Sequence, residues 1–289
     1  MHDSITTIGL AALTLLSLAT TIIAVRSLFV PAMRQAWQAR INWLTVAIGA
    51  GCAVLYLHRL LLVNHHFAPL EAHVDGLLLI GGILAAMIPL IARWSTLPGL
   101  FAFALPLLTL FVAWGVCASA WTFHPFDIDS TVQMLHRMGV YLGTLCFVVA
   151  ASAGAMFLYV DRRLRHKADP PGRNTLGSLE AIERLIIRAS GLGFGLLTFG
   201  IIMGIITTTS EPTSLGVGWW YSPKVLLAFG AWLIYAVVMN VRHATVFRGT
   251  RAAWLSIAGL VLMLAVSGIA VAMPGGATAP DTTTREVTP

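Results

Sequence analysis

The feature that most constrains this chain is a series of uncharged apolar runs, each about as long as a bilayer is thick. "IGLAALTLLSLATTIIAV" and "LFAFALPLLTLFVAWGVCASA" are two of them. A run of roughly 20 apolar residues spans the hydrocarbon core as a helix, because in lipid every backbone N–H and C=O must bond within the segment. Of the 289 residues 57% are hydrophobic and 10% charged, with a mean hydropathy of +0.83. A soluble domain carries about 25% charged residues. The expected fold is therefore all-α, a polytopic transmembrane bundle forming a single membrane domain over residues 1–289, closed by a polar, disordered tail at 274–289.

Eight spans are read near 7–27, 41–63, 75–92, 98–120, 137–160, 187–208, 224–241 and 252–273. The first has no positive residue before it and arginines after it, so it reads as a span rather than a cleavable leader. Lys and Arg alternate between the gaps. Arg26, Arg34, Arg40, Arg93, the run from Arg162 to Arg188, Arg242, Arg248 and Arg251 put fourteen in the odd gaps, leaving four (Arg59, Arg137, Lys224, Arg285) elsewhere. The positive-inside rule then places both termini outside the cytoplasm.

The same distribution argues against nucleic-acid binding, since the net charge of +6 marks topology rather than a binding stripe. Cys52, Cys117 and Cys146 lie inside apolar runs, where cysteine acts as a small hydrophobe. With no CxxC the chain carries no thiol–disulfide or zinc-knuckle motif, and with no CxxCH it is not itself a c-type cytochrome. Phosphate-binding glycine loops and hydrolase signatures are also missing. In the long inner loop, Ser178 is expected to cap a helix carrying Glu180 and Glu183 in its first turns. Further along, Gly191 with Gly195, and Gly200 with Gly204, repeat the spacing that brings membrane helices close together.

The outward gaps hold the chemistry-bearing residues. The second carries His58, His65, His66, Glu71, His73 and Asp75, the fourth His124, Asp127, Asp129 and His136, and the sixth "GVGWWYSPK" with Trp219, Trp220 and Lys224. Any one of these histidines suits a membrane surface structurally, and paired tryptophans suit the aromatic belt. Haem binding asks for an axial imidazole, a flat apolar wall and cations for the propionates. His136, at the mouth of the fifth span, offers the imidazole, Trp219 and Trp220 the wall, and Arg137 and Lys224 the cations. His58, well inside the second span, and His66 are further candidates. A competing transition-metal site from His65, His66, Glu71, His73 and Asp75 has suitable donors but follows no closed spacing motif.

The blocks "MLHRMGVYLGTLCFVVAASAGAMFLYVDRRLR", "SLEAIERLIIRASGLGFGLLTFGIIMGI", "GWWYSPKVLLAFGAWLIYAV" and "RHATVFRGTRAAWLSIAGLVLML" together resemble the cytochrome c assembly family of CcsA- and HemX-like membrane proteins. The resemblance covers spans five to eight, about half the chain, while the N-terminal half matches loosely. It implies that the Trp-rich outer loop holds haem for attachment to apocytochrome c, with His136 an axial ligand to the haem iron and Trp219, Trp220, Pro223 and Lys224 matching the loop's motif. The chain departs from the family pattern in three places. Ser222 stands where an acid is usual, Asn240 where a histidine is frequent, and no histidine follows span eight.

The resemblance implies a haem-handling protein of cytochrome c biogenesis in a bacterial inner (plasma) membrane. Its partners would be membrane lipid, a maturation membrane protein and apocytochrome c; no catalytic residue is assigned. The alternatives are a HemX-like non-catalytic regulator or scaffold working through the basic loop Asp161 to Arg188, and a small-solute or metal transporter using the histidine-rich second gap.

Overall fold

The structure, a computed structural model, describes residues 2–63, 70, 73–120, 131–166, 176–210, 223–240 and 249–272. The expected disordered tail at 274–289 lies outside these residues. Eight α-helices follow one another: α1 (His2–Phe29), α2 (Pro31–His58), α3 (His73–Trp94), α4 (Leu100–Ala120), α5 (Thr131–Arg165), α6 (Leu179–Ser210), α7 (Pro223–Asn240) and α8 (Thr250–Ala272). A π-helical turn, Arg59–Val63, extends α2. Among the described residues α1 to α6 are long and apolar enough to cross a bilayer, while the apolar stretches Val225–Val237 and Thr250–Val266 of α7 and α8 are shorter. The molecule is thus an all-α polytopic membrane bundle with six crossing helices identified, and two further helices where two further spans were expected.

Local chemistry explains the helix boundaries. Pro31 opens α2 at a position whose N–H has no helical partner, after Val30 in an extended conformation. The first gap, expected as a loop, is therefore a one-residue break. Between α3 and α4 the chain turns at Thr96, in the left-handed region with φ 52°. Ser178 caps α6 as expected, its hydroxyl accepting the Ala181 N–H at 3.2 Å. Pro89 and Pro106 sit inside α3 and α4, which continue through them.

Many large apolar side chains point outward, among them Ile8, Leu15, Ile22, Trp43, Leu192 and Val261, as expected of helices solvated by lipid. Small and hydroxylated residues turn inward instead. On α1, Ser17, Thr20, Ala24 and Ser27 are buried. Thr20, Thr45 and Ser152 each donate to the carbonyl four residues back, so burial leaves no hydroxyl proton unsatisfied there. Two hydroxyl bonds, Thr21 to Thr109 at 2.9 Å and Thr7 to Ser119 at 3.1 Å, join α1 to α4 in antiparallel order.

The helix α5 links two cores. The larger is built from α1 to α5 with the start of α6 and with Ala253 and Leu260 of α8; the smaller joins Phe147, Leu197, Ala231, Tyr235 and Met263 from α5 to α8. In the smaller core the rings of Phe147 and Tyr235 stack with centroids 3.4 Å apart. The most extensive helix pair is α5 with α6. Glycine makes that approach possible: a Cβ on Gly139 would lie 3.0 Å from the Gly200 Cα, and one on Gly143 would lie 3.3 Å from the Gly193 carbonyl oxygen. Gly195, expected in this contact, has nothing within 4 Å of its Cβ position. Gly193 packs there instead, against Phe147 and Cys146. The α5–α6 face therefore runs through Gly193 and Gly200, and Gly195 lies off it.

Candidate functional site

The helices alternate in direction, so one end of the bundle gathers the end of α2, the start of α3, the start of α5, the end of α6 and the start of α7. His58, Arg59, Asp75, His136 and Arg137 lie at this end. Two side chains of α5, adjacent in sequence, face different neighbours.

His136 faces α6. Its Nδ1 lies 2.6 Å from the carbonyl oxygen of Gly200. The ring rests where Gly204 has no side chain. A carbonyl oxygen only accepts, so Nδ1 is a protonated nitrogen, and in the neutral ring Nε2 then keeps its lone pair. This is the arrangement that prepares histidine as a metal ligand: one nitrogen held by a backbone carbonyl, the other left to coordinate. Nε2 has no hydrogen-bond partner among the described residues.

Arg137 faces α2 and α3. One of its terminal nitrogens donates to the Leu70 carbonyl at 2.9 Å. Leu70 is buried with φ 69°, a left-handed turn at a branched residue that α3 and Arg137 hold in place. Beside it Arg59, in the π turn, donates through Nε to Asp75 Oδ1 at 2.6 Å, with side-chain exposures of 10% and 2%. Tyr141, one turn along α5 from Arg137, lies against Gly76, where any Cβ would run into its ring. These contacts tie the ends of the second gap to the helix that carries His136.

The expected site residues therefore separate into groups. His136 is in place with a defined tautomer. Arg137, expected beside the propionates, has one amino group committed to Leu70. His58 closes α2 with its Nδ1 shielded from solvent. Asp75, expected in a metal constellation, is instead the partner of Arg59, and among the described residues no group of three or more His, Cys, Asp and Glu could hold a metal. Lys224 is the second residue of α7. His65, His66, Glu71, His124, Asp127, Asp129, Trp219, Trp220, Ser222 and His243 lie outside the described residues.

The end of α6 and the start of α7 can be placed relative to His136. From Gly204 to the end of α6 at Ser210 is about 9 Å along the axis. On the other side, the indole N–H of Trp232 in α7 donates to the Thr198 hydroxyl of α6 at 2.9 Å. Counting six residues outward on both antiparallel helices brings residue 226 level with Gly204, and 223–224 just beyond it. α6 thus ends, and α7 begins, at the end of the bundle that carries His136.

Sequence reasoning read Gly200 and Gly204 only as packing residues and missed their contact with His136. It also missed the Arg59–Asp75 pair, although two opposite charges at facing ends of consecutive apolar runs, sixteen residues apart, are a usable signal.

The model of the family described as cytochrome C assembly protein matches residues 1–269. The cytochrome c biogenesis protein CcsA of Prochlorococcus marinus is 36% identical over 90 residues, 31% of this chain and 28% of that protein. That of Microcystis aeruginosa is 27% identical over 131 residues, 45% of this chain and 38% of the relative. The Chlamydomonas reinhardtii protein of the same name is 25% identical over 138 residues, 47% and 36% of the two chains. The matched stretch spans less than half the length of each of these relatives. No solved structure matches the chain.

Proposed function

The chain belongs to the cytochrome c assembly protein family, and from that premise we propose that it holds haem at the His136 end of the bundle and presents it for attachment to an apocytochrome c. One observation carries the reading: the bond from His136 Nδ1 to the Gly200 carbonyl, which leaves Nε2 as a ready axial donor.

The chain's residues fit the group in kind. His136 offers the iron ligand, and Trp219 and Trp220, in the sequence between α6 and α7, offer a flat apolar wall. Lys224 and the Arg137 guanidinium offer positive charge for two carboxylates. His58 and His66 are the candidates for a second ligand on this face. Bound haem would supply the vinyl groups to which the thiols of a CxxCH segment add. The chain's own part is to grip the ring, exclude water from its face and turn one edge outward. In this reading the end carrying His136 faces out of the cytoplasm of a bacterial plasma membrane, eight helices cross it, and a second maturation protein completes the site.

The test is to purify the full chain from haem-replete cells and record a pyridine haemochrome spectrum. The expected result is bound haem in the parent, with His136→Ala and Trp219→Ala/Trp220→Ala each losing most of it. Parent protein free of haem, together with unchanged cytochrome c yield in cells carrying His136→Ala, would refute the proposal.

A further inference from the structure

The contact between His136 and α6 is more specific than helix packing requires. A Cβ built on Gly204 would lie 2.9 Å from both Cε1 and Nδ1 of the His136 ring, closer than a carbon atom tolerates. The same Nδ1 is bonded to the Gly200 carbonyl one turn earlier. The Nδ1–Cε1 edge of the imidazole therefore lies on bare backbone, and Nε2 is not among the three ring atoms nearest the Gly204 Cβ position. At Gly195, on the same helix, this condition is absent, since a Cβ there would meet nothing within 4 Å. Gly200 itself faces Val140 and Gly139, so its missing side chain serves the helix contact while its carbonyl serves the histidine.

We infer that Gly204 is a positioning residue for His136: its bare backbone lets the imidazole reach the Gly200 carbonyl, which fixes the Nδ1–H tautomer and presents Nε2 as a ligand. Any side chain at 204 would lift the ring off α6, break the bond to Gly200 and release both the tautomer and the ring angle. The consequence for haem rests on the function proposed above; the tautomer and the steric contact do not.

The experiment compares Gly204→Ala with Gly195→Ala, two substitutions of one kind in one helix, in the full chain in detergent. In the first arm, ¹⁵N spectra of histidine-labelled protein free of haem, with His136 assigned by difference from His136→Gln, report which ring nitrogen is protonated. The expected result is a protonated Nδ1 and unprotonated Nε2 in the parent and Gly195→Ala, and loss of that pattern in Gly204→Ala. In the second arm, haem-loaded protein is followed by its Soret and electron paramagnetic resonance spectra. Gly204→Ala should retain haem about 10–100-fold less tightly, the scale set by loss of a ligand's supporting bond. Added imidazole should restore the parent spectrum, as it should for His136→Gly. A third comparison covers misfolding: His136→Gly/Gly204→Ala should be as stable as His136→Gly alone, because removing the ring removes the clash.

An Nε2–H tautomer in the parent overturns the inference. So does a Gly204→Ala protein with parental spectra and retention, or a double variant that misfolds where His136→Gly does not. If the parent binds no haem but Gly204→Ala still abolishes the tautomer pattern, the haem-holding reading fails and the positioning role stands.

Discussion

Removing one partner of the Arg59–Asp75 pair should destabilise the bundle far more than removing both. Nε and Oδ1 are 2.6 Å apart, and the side chains are 10% and 2% exposed, so water screens the pair little. With charge centres roughly 4 Å apart and an effective dielectric constant near 20, the attraction is about 4 kcal/mol. Each charge stripped of its partner also keeps its desolvation cost, and loss of one member of a buried pair typically costs about 3–5 kcal/mol. Asp75→Asn and Arg59→Met should therefore each lower stability by about 4 kcal/mol, nearly a thousandfold in the folded-to-unfolded ratio. The double replacement Arg59→Met/Asp75→Leu removes both charges and should lie within about 1–2 kcal/mol of the parent. Reversible unfolding in mixed detergent and SDS micelles, followed by the fluorescence of the chain's 9 tryptophans, measures all three and closes a double-mutant cycle. The reasoning fails if either single variant stays within about 0.5 kcal/mol of the parent, or if the double variant loses the sum of the two.

Tyr235 separates packing from hydrogen bonding in the smaller core. Tyr235→Phe gives up only a 3.3 Å bond to the Ser256 carbonyl and should cost about 1 kcal/mol or less, whereas Tyr235→Ala removes the ring stacked on Phe147 and should cost about 3 kcal/mol or more in the same assay. Gly139→Leu should drive α5 from α6 and abolish a monodisperse size-exclusion peak, while Gly230→Ala, whose Cβ position has no neighbour within 4 Å, should elute like the parent. Orientation is open to reporters. Green fluorescent protein inserted at residue 170 should fluoresce, and alkaline phosphatase fused after Ala272 should be active; the opposite pattern reverses the assignment.

The two halves of the molecule were legible to different degrees. Uncharged runs of bilayer length leave a chain little choice but helices, so all eight were located from sequence, with ends displaced by several residues. The displacement has a physical cause: helices continue past the hydrocarbon edge wherever capping and charge allow. α5 accordingly runs to Arg165, five residues beyond its expected end, and α6 starts at Leu179 behind the Ser178 cap. Family resemblance was legible as well, because the Trp-Trp loop, its Pro-Lys and the flanking spans keep order and spacing; the family model matches residues 1–269.

The site was legible only in its residue types. His136 stood out by position, but its partner lies 64 residues away on a helix whose glycines read simply as packing. Arg137 was read as a cation for the propionates and Asp75 as a metal donor from their charge; the Leu70 carbonyl that one holds and the Arg59 that the other holds were not legible. Residue type states what a side chain can do. Which nitrogen carries the proton, and which carbonyl receives it, depend on the rotation and axial register of α5 against α6. That register is set by the close passage of Gly139, Gly143, Gly193 and Gly200, a match between two surfaces distant in sequence. The bilayer's demand for internally bonded backbone is local, and the sequence by itself determined the helices and the alternating charge. The orientation of His136 is a non-local result of packing, and only the tertiary structure decided it.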